Sequence, residues 1–159
     1  MKLSSGVAKI PLMLEEGVPV GLGVDGSASN DSSNLLADLR ICYLLHRLNS
    51  GDKAPSAYDI LKIATKGGAE LLGRGHDLGS LEVGKAGDLF LIPSEQLEVV
   101  GTLHDPQSVF GTVGYYKPVA YTIVNGRVVV KEGRLALVDE EVLTGQIARS
   151  VARMHDGIL

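Results

Sequence analysis

A single cysteine, Cys42, is all that the 159 residues contain. An internal disulfide is therefore excluded, and a reducing compartment is the default for such a chain. Long apolar runs are missing too: none reaches the ~18 residues that a membrane span needs. The opening Met1-Lys2-Leu3-Ser4-Ser5-Gly6 lacks the continuous apolar core of a signal peptide. Cytoplasmic placement is the resulting expectation. Positive charge is in deficit, with 15 Lys and Arg against 19 Asp and Glu and a formal net charge of -4. The one basic cluster, Arg127 to Arg134, is diluted by Glu132 and apolar neighbours, which argues against nucleic acid as a partner. The four histidines, His46, His76, His104 and His155, show neither His-x-His nor His-Glu-x-x-His spacing. A locally complete metal motif is thereby excluded, and the chain has no Gly-x-Ser-x-Gly elbow and no phosphate loop.

What is present reads as one or two globular domains with a sizeable core. Apolar spacing predicts a short helix over Val7 to Glu16, with Pro11 near its first turn and Gly17 as its C-cap. Val18 to Val24 is apolar or glycine at every position and ends in Asp25-Gly26, the pattern of a strand buried on both faces of a parallel sheet. The loop Ser27 to Ser33 offers N-cap residues, and Leu35, Leu36, Leu39, Cys42, Tyr43 and His46 then continue at helical period to about Leu48. Cys42 and His46 are read there as helix-face residues rather than ligands. A second helix follows Pro55, opened by Ser56 and Asp59 at capping-box spacing and closed at Gly73. Gly67-Gly68 inside it costs about 1 kcal/mol per glycine relative to alanine, so close approach of another backbone is expected there. From Gly79 onward the composition predicts strands at Asp88 to Ile92, Ser108 to Val113, Tyr121 to Val124 and Arg127 to Lys131. Asn125-Gly126 predicts a type I′ hairpin turn between the last two. Val142, Leu143, Ile147, Val151 and Met154 predict a terminal amphipathic helix from Asp139.

Asp25 stands out because it lies where a buried apolar strand gives way to a loop rich in Gly, Ser and Asn, and α/β folds bind ligands at the carboxyl ends of their strands. Asp-Gly is also an ordinary turn dipeptide, so a structural aspartate is the alternative.

Taken together, Gly17-Val18-Pro19-Val20-Gly21-Leu22-Gly23-Val24-Asp25-Gly26 with Ser29-Asn30-Asp31 resembles the last barrel strand and metal-site aspartate of the amidohydrolase superfamily. The branch it resembles most holds 8-oxoguanine deaminase and the hydroxyatrazine and chlorotriazine hydrolases. Ala64-Thr65-Lys66-Gly67-Gly68-Ala69 with Leu72-Gly73 agrees, as do the turn Gly79-Ser80-Leu81-Glu82-Val83-Gly84-Lys85-Ala86-Gly87-Asp88-Leu89 and the hairpin Val124 to Val129 with Gly133.

The resemblance implies an α/β fold: the C-terminal portion of a TIM-type (β/α)8 barrel over 1–74, a small β-sandwich-like domain over 75–138 and a terminal helix over 139–159. It implies a metal-dependent deaminase or aminohydrolase acting on a non-peptide C–N bond of a heterocycle such as 8-oxoguanine, cytosine or an s-triazine. One divalent metal, zinc or iron, would activate water, with Asp25 as metal ligand and general acid/base and with Ser27, Ser29, Asn30 and Asp31 at the substrate mouth. The loop serines and Asn30 have helix-capping as their simpler role. The family's metal-site histidines have no counterpart in these residues, and a complete barrel takes about 250 residues. The chain is therefore expected to be a fragment, a truncated gene product or the product of a late start, with an N-terminal part of the same enzyme as its partner and a homo-oligomer as the intact form. The competing expectation is a catalytically inactive structural or assembly module that does not retain the metal.

Overall fold

The computed structural model describes residues 3–157. It is a mixed α/β chain of two compact units, one formed by residues 1–86 with 93–117 and the other by 87–92 with 118–159.

In the first unit, helix α1 (Ile10–Glu15) has Pro11 in its first turn, where a missing N–H costs nothing. It stops at Gly17 (φ 68°), with Val18 N–H returning to the Met13 carbonyl at 2.8 Å. Helix α2 (Leu35–Ser50) is capped by Asn34, whose side-chain oxygen accepts from Ala37 N–H at 3.2 Å. Helix α3 (Ala57–Lys62) opens with the expected capping box: Asp59 N–H donates to Ser56 Oγ, and Ser56 N–H donates to Asp59 Oδ2, both at 3.1 Å. A π-helical turn, Ile63–Gly67, joins α3 to helix α4 (Gly68–Leu71), so the predicted long helix is continuous but widened by one turn.

Ile10, Leu39, Ile60 and Ile63 form the centre of this unit, with Val20 and Leu22 packed against them. Val20 and Leu22 are two residues apart, as extended backbone requires of neighbours on one face. Yet Val18 to Val24 joins none of the strand ladders found among the described residues. The predicted strand is thus unpaired, and none of its residues is buried: ladder hydrogen bonds and cover on both faces need a second strand, and this unit supplies none among its described residues. Gly67 explains how the segment is held: a Cβ there would lie 2.0 Å from the Val20 carbonyl oxygen.

The segment Ser108 to Val113, predicted as a strand, is helical instead: a 3₁₀ turn, Pro106–Ser108, leads into α6 (Val109–Thr112) after the short α5 (Leu97–Val100). A short apolar run fits either period. Helix wins here because Gly111 lets α6 close onto Ala57, whose Cβ would be 2.6 Å from a Cβ at Gly111.

The second unit holds a four-stranded antiparallel meander in the order β1 (Leu89–Leu91), β2 (Tyr121–Val124), β3 (Arg127–Lys131) and β4 (Arg134–Leu135). Asn125 and Gly126 have φ of 48° and 75°, the two positive values of the expected type I′ turn. Asp88 Oδ1 accepts the Asn125 N–H at 2.5 Å and so fixes that turn from β1. The terminal helix α7 (Glu140–His155) is capped by Asp139 and belongs with the sheet. By contact the first unit runs to Ala86; within its last stretch Lys85 Nζ donates to Ser80 Oγ at 2.7 Å and to the Gly75 and Leu78 carbonyls, folding that loop onto itself. No helix among the described residues is long and apolar enough to cross a membrane.

Candidate functional site

Asp25 ends the extended segment in the left-handed region, at φ 67°. Aspartate is one of the few residues with a Cβ that visits this region, because its short side chain can hydrogen-bond locally. The geometry orients its carboxylate: Gly26 N–H donates to Oδ1 at 2.7 Å. This bond, seconded by the Ser29 hydroxyl, holds the exposed Asp25 carboxyl below the usual aspartate range. Asp25 is therefore an ionised acceptor at neutral pH.

The loop after it is tied by its own backbone. The Gly26 carbonyl accepts from Ser29 N–H and Asn30 N–H, both at 2.9 Å, and from Ser29 Oγ at 3.1 Å. Asn30 Nδ2 donates to the Val24 carbonyl at 2.8 Å and to the Asp38 carboxylate at 3.2 and 3.4 Å. Its Oδ1 accepts from Ser32 N–H at 3.1 Å and Ser32 Oγ at 3.0 Å.

Asp25, Ser29, Asn30 and Asp31 line one side of an open depression of about 710 Å³, and Cys42 and His46 of α2 line another. Ser27, although exposed, is not part of that lining. Of the four predicted mouth residues, three thus come together with Asp25, and Ser29 and Asn30 have polar atoms engaged in shaping the loop. Sequence reasoning missed Asp38, the carboxylate that Asn30 reaches. Its only sequence signal is an acid in the first turn of α2, where the helix dipole favours one.

Burial pushes the Cys42 thiol up and the His46 imidazole down, leaving both neutral near pH 7. His46 is only 4% exposed. His76, His104 and His155 are exposed. Among the described residues no three His, Cys, Asp or Glu side chains come together to hold a metal ion. A catalytic zinc site takes three protein ligands, so the one carboxylate of Asp25, itself engaged by Gly26, does not amount to a metal site.

Comparison with known proteins extends this picture. The chain is 44% identical over 155 residues to hydroxydechloroatrazine ethylaminohydrolase of Pseudomonas sp. (strain ADP), covering 96% of this chain and 30% of that protein. It is 36% identical over 160 residues to a 5-methylthioadenosine/S-adenosylhomocysteine deaminase of Desulforudis audaxviator, covering 99% and 37%. Its structure is similar to that of zinc-complexed atrazine chlorohydrolase TrzN from Arthrobacter aurescens, with a TM-score of 0.83, 38% identity and coverage of 91% and 32%. It is also similar to a zinc-bound adenosine deaminase from Xanthomonas campestris, with a TM-score of 0.89, 27% identity and coverage of 98% and 35%. The chain spans about a third of the length of the curated relatives it matches. Residues 1–129 match the amidohydrolase family over most of the chain, and the chain belongs to that family.

Proposed function

We propose that this chain carries the carboxylate-bearing end of a metal-dependent hydrolase that breaks a C–N bond of a small heterocycle, an amino-substituted s-triazine or purine being the substrate class. The observation that carries this reading is Asp25 itself: an ionised carboxylate at the end of an apolar segment, aimed by Gly26 N–H and lining an open depression. The similarity to triazine hydrolases and nucleoside deaminases supports the substrate class.

In this reading residues 1–74 are the last portion of a (β/α)8 barrel, followed by the C-terminal part of a small β domain and the helix α7. Val18 to Val24 is then a barrel strand whose neighbours lie elsewhere in the enzyme. A zinc or iron ion, when bound, lowers the pKa of a coordinated water toward neutrality. The donors here do not make that site alone, so the chain contributes one carboxylate to it. Asp25, ionised and held in one orientation, acts as a proton acceptor and then donor at the reacting centre, the work of a positioned general acid/base. Ser27 and Asp31 stand at the mouth toward substrate. Ser29, whose hydroxyl donates to the Gly26 carbonyl, shapes the turn that follows Asp25. An N-terminal part of the enzyme and a second copy of the whole are the expected partners, and no nucleic acid or membrane is involved.

The test is a graft in which this chain replaces the corresponding C-terminal third of the hydroxydechloroatrazine hydrolase. The expected result is stoichiometric zinc and amine or ammonia release from triazine or adenosine-type substrates, lost on Asp25→Asn. A folded, zinc-loaded graft that is inert on both classes, or an active one indifferent to Asp25→Asn, would favour the non-catalytic module instead.

A further inference from the structure

We propose that Asn30 is a positioning residue for Asp25, acting through the Val24 carbonyl, with Asp38 as the anchor that fixes the Asn30 amide. The inference rests on the reading of Asp25 as the reactive carboxylate. Its observation is independent of that reading: the Asn30 side chain makes contacts with three separate pieces of backbone and helix at once.

A side-chain amide has two N–H donors and two acceptor lone pairs. Asn30 engages all of that capacity, toward Val24 O (2.8 Å), the Asp38 carboxylate (3.2 and 3.4 Å), Ser32 N–H (3.1 Å) and Ser32 Oγ (3.0 Å). Val24 immediately precedes Asp25, and the peptide between them is planar. Fixing the Val24 carbonyl therefore fixes the orientation of the Asp25 N–H, leaving φ and ψ of Asp25 as the remaining freedom. Gly26 limits that freedom from the other side, through its N–H to Oδ1 and its carbonyl to Ser29 and Asn30. The left-handed Asp25 is thus clamped before and after, and Asn30 takes part in both clamps, by side chain and by backbone. Asp38 lies in the first turn of α2, so the anchor of the loop is a helix buried at Ala37 and Leu39.

No isosteric residue can replace this amide. Aspartate at position 30 loses the donor to Val24 O and places a second carboxylate against that of Asp38. Exchanging the two residues, Asn30→Asp with Asp38→Asn, restores a donor and an acceptor between positions 30 and 38. It does not restore a donor to Val24 O. The exchange therefore separates holding the loop on α2 from aiming Asp25.

Two measurements test this. In the crystal structure of the graft described above, Asp25 is expected to leave its positive φ or lose its single conformation in both Asn30→Asp and the exchange variant. In the same graft, Asn30→Asp is expected to lower kcat by ~10²-fold, the scale of a ~1 Å misplacement, with KM nearly unchanged. The exchange is expected to regain the melting temperature but not kcat. Recovery of kcat together with melting temperature in the exchange variant, or an Asp25 conformation untouched by either change, overturns the proposal. If Asn30→Asp is too unstable to purify, the exchange variant decides alone. An active parent graft with unaffected Asn30 variants sinks this inference only, whereas a folded parent graft that is inert sinks the reading of Asp25 as well.

Discussion

Neighbouring glycines in one helical stretch should respond in opposite senses to the same substitution. Gly67 and Gly68 share helical dihedrals, with φ of −60° at both and ψ of −44° and −43°. Intrinsic propensity alone makes Gly→Ala at either stabilising by about 0.8–1 kcal/mol. At Gly68 a new Cβ meets nothing within 4 Å, so that gain should appear in full. At Gly67 the Cβ would sit 2.0 Å from Val20 O and 3.2 Å from Val20 C. An ordinary C···O contact is roughly 3.3–3.6 Å, so the segment Val18 to Val24 must retreat by roughly 1.3 Å from the helix it rests on. The obstacle is backbone, not the end of a flexible side chain. Overpacking of this kind costs ~1–3 kcal/mol, and the upper end applies where Val20 and Leu22 leave the core together. Net of propensity, Gly67→Ala should lose about 2 kcal/mol and Gly68→Ala gain about 1. With a urea m-value near ~2 kcal/mol/M, the midpoints of the two variants should lie roughly 1.5 M apart on either side of the parent. Urea unfolding at low micromolar concentration, followed by far-UV circular dichroism, measures this. If both variants move the midpoint in the same direction, the Val20–Gly67 contact does not hold the extended segment in place.

His46 is held neutral by burial, so its folded pKa lies below its ordinary value of 6.5. The unfolded chain then binds the extra proton first, and stability should fall as pH drops below 6.5 until the folded pKa is passed. Urea midpoints of His46→Gln should show less of that slope. Asp59 is depressed by Lys62 first and by Ser56 next, which adds stability above its ordinary pKa of 3.8 that is lost as pH falls through the lower folded value. Ser56→Ala should cost about 1 kcal/mol at pH 7 through the lost cap, and the cost should shrink in acid once Asp59 is protonated. Finally, the unpaired Val18 to Val24 and the α7 face bearing Ile147, Val151 and Met154, each more than half exposed, should make the isolated chain self-associate and bind a hydrophobic dye. A monodisperse monomer that binds no dye at any concentration up to the solubility limit would refute this.

What could be read from the sequence was local. The capping box at Ser56 and Asp59, the Asn125-Gly126 turn and the break at Gly17 each depend on residues within a few positions, and each stands where the pattern put it. Gly67-Gly68 was legible as an anomaly: a local cost in an otherwise helical run needs a tertiary cause, and Val20 O supplies it. What local pattern could not decide is non-local. Val18 to Val24 has the composition of a ladder strand, but composition does not say whether a partner strand is in reach. Ser108 to Val113 could satisfy either period, and the choice was made by Ala57, some fifty residues away, against Gly111.

The site divides in the same manner. Asp25 was visible because an acid at the end of an apolar run breaks the local pattern. Asn30 was visible as a loop residue that the resemblance set at the substrate mouth, with helix-capping as its simplest role. The helix cap proved to be Asn34, which releases Asn30 for the Val24 carbonyl and Asp38. Asp38 lies eight residues further on, across a loop that is neither helix nor strand, so no regular period carries position 30 to it. A carboxylate that breaks a local rule can be found in a sequence. The amide that aims it is found only when the loop's path is known, because its partners are backbone atoms and a distant side chain.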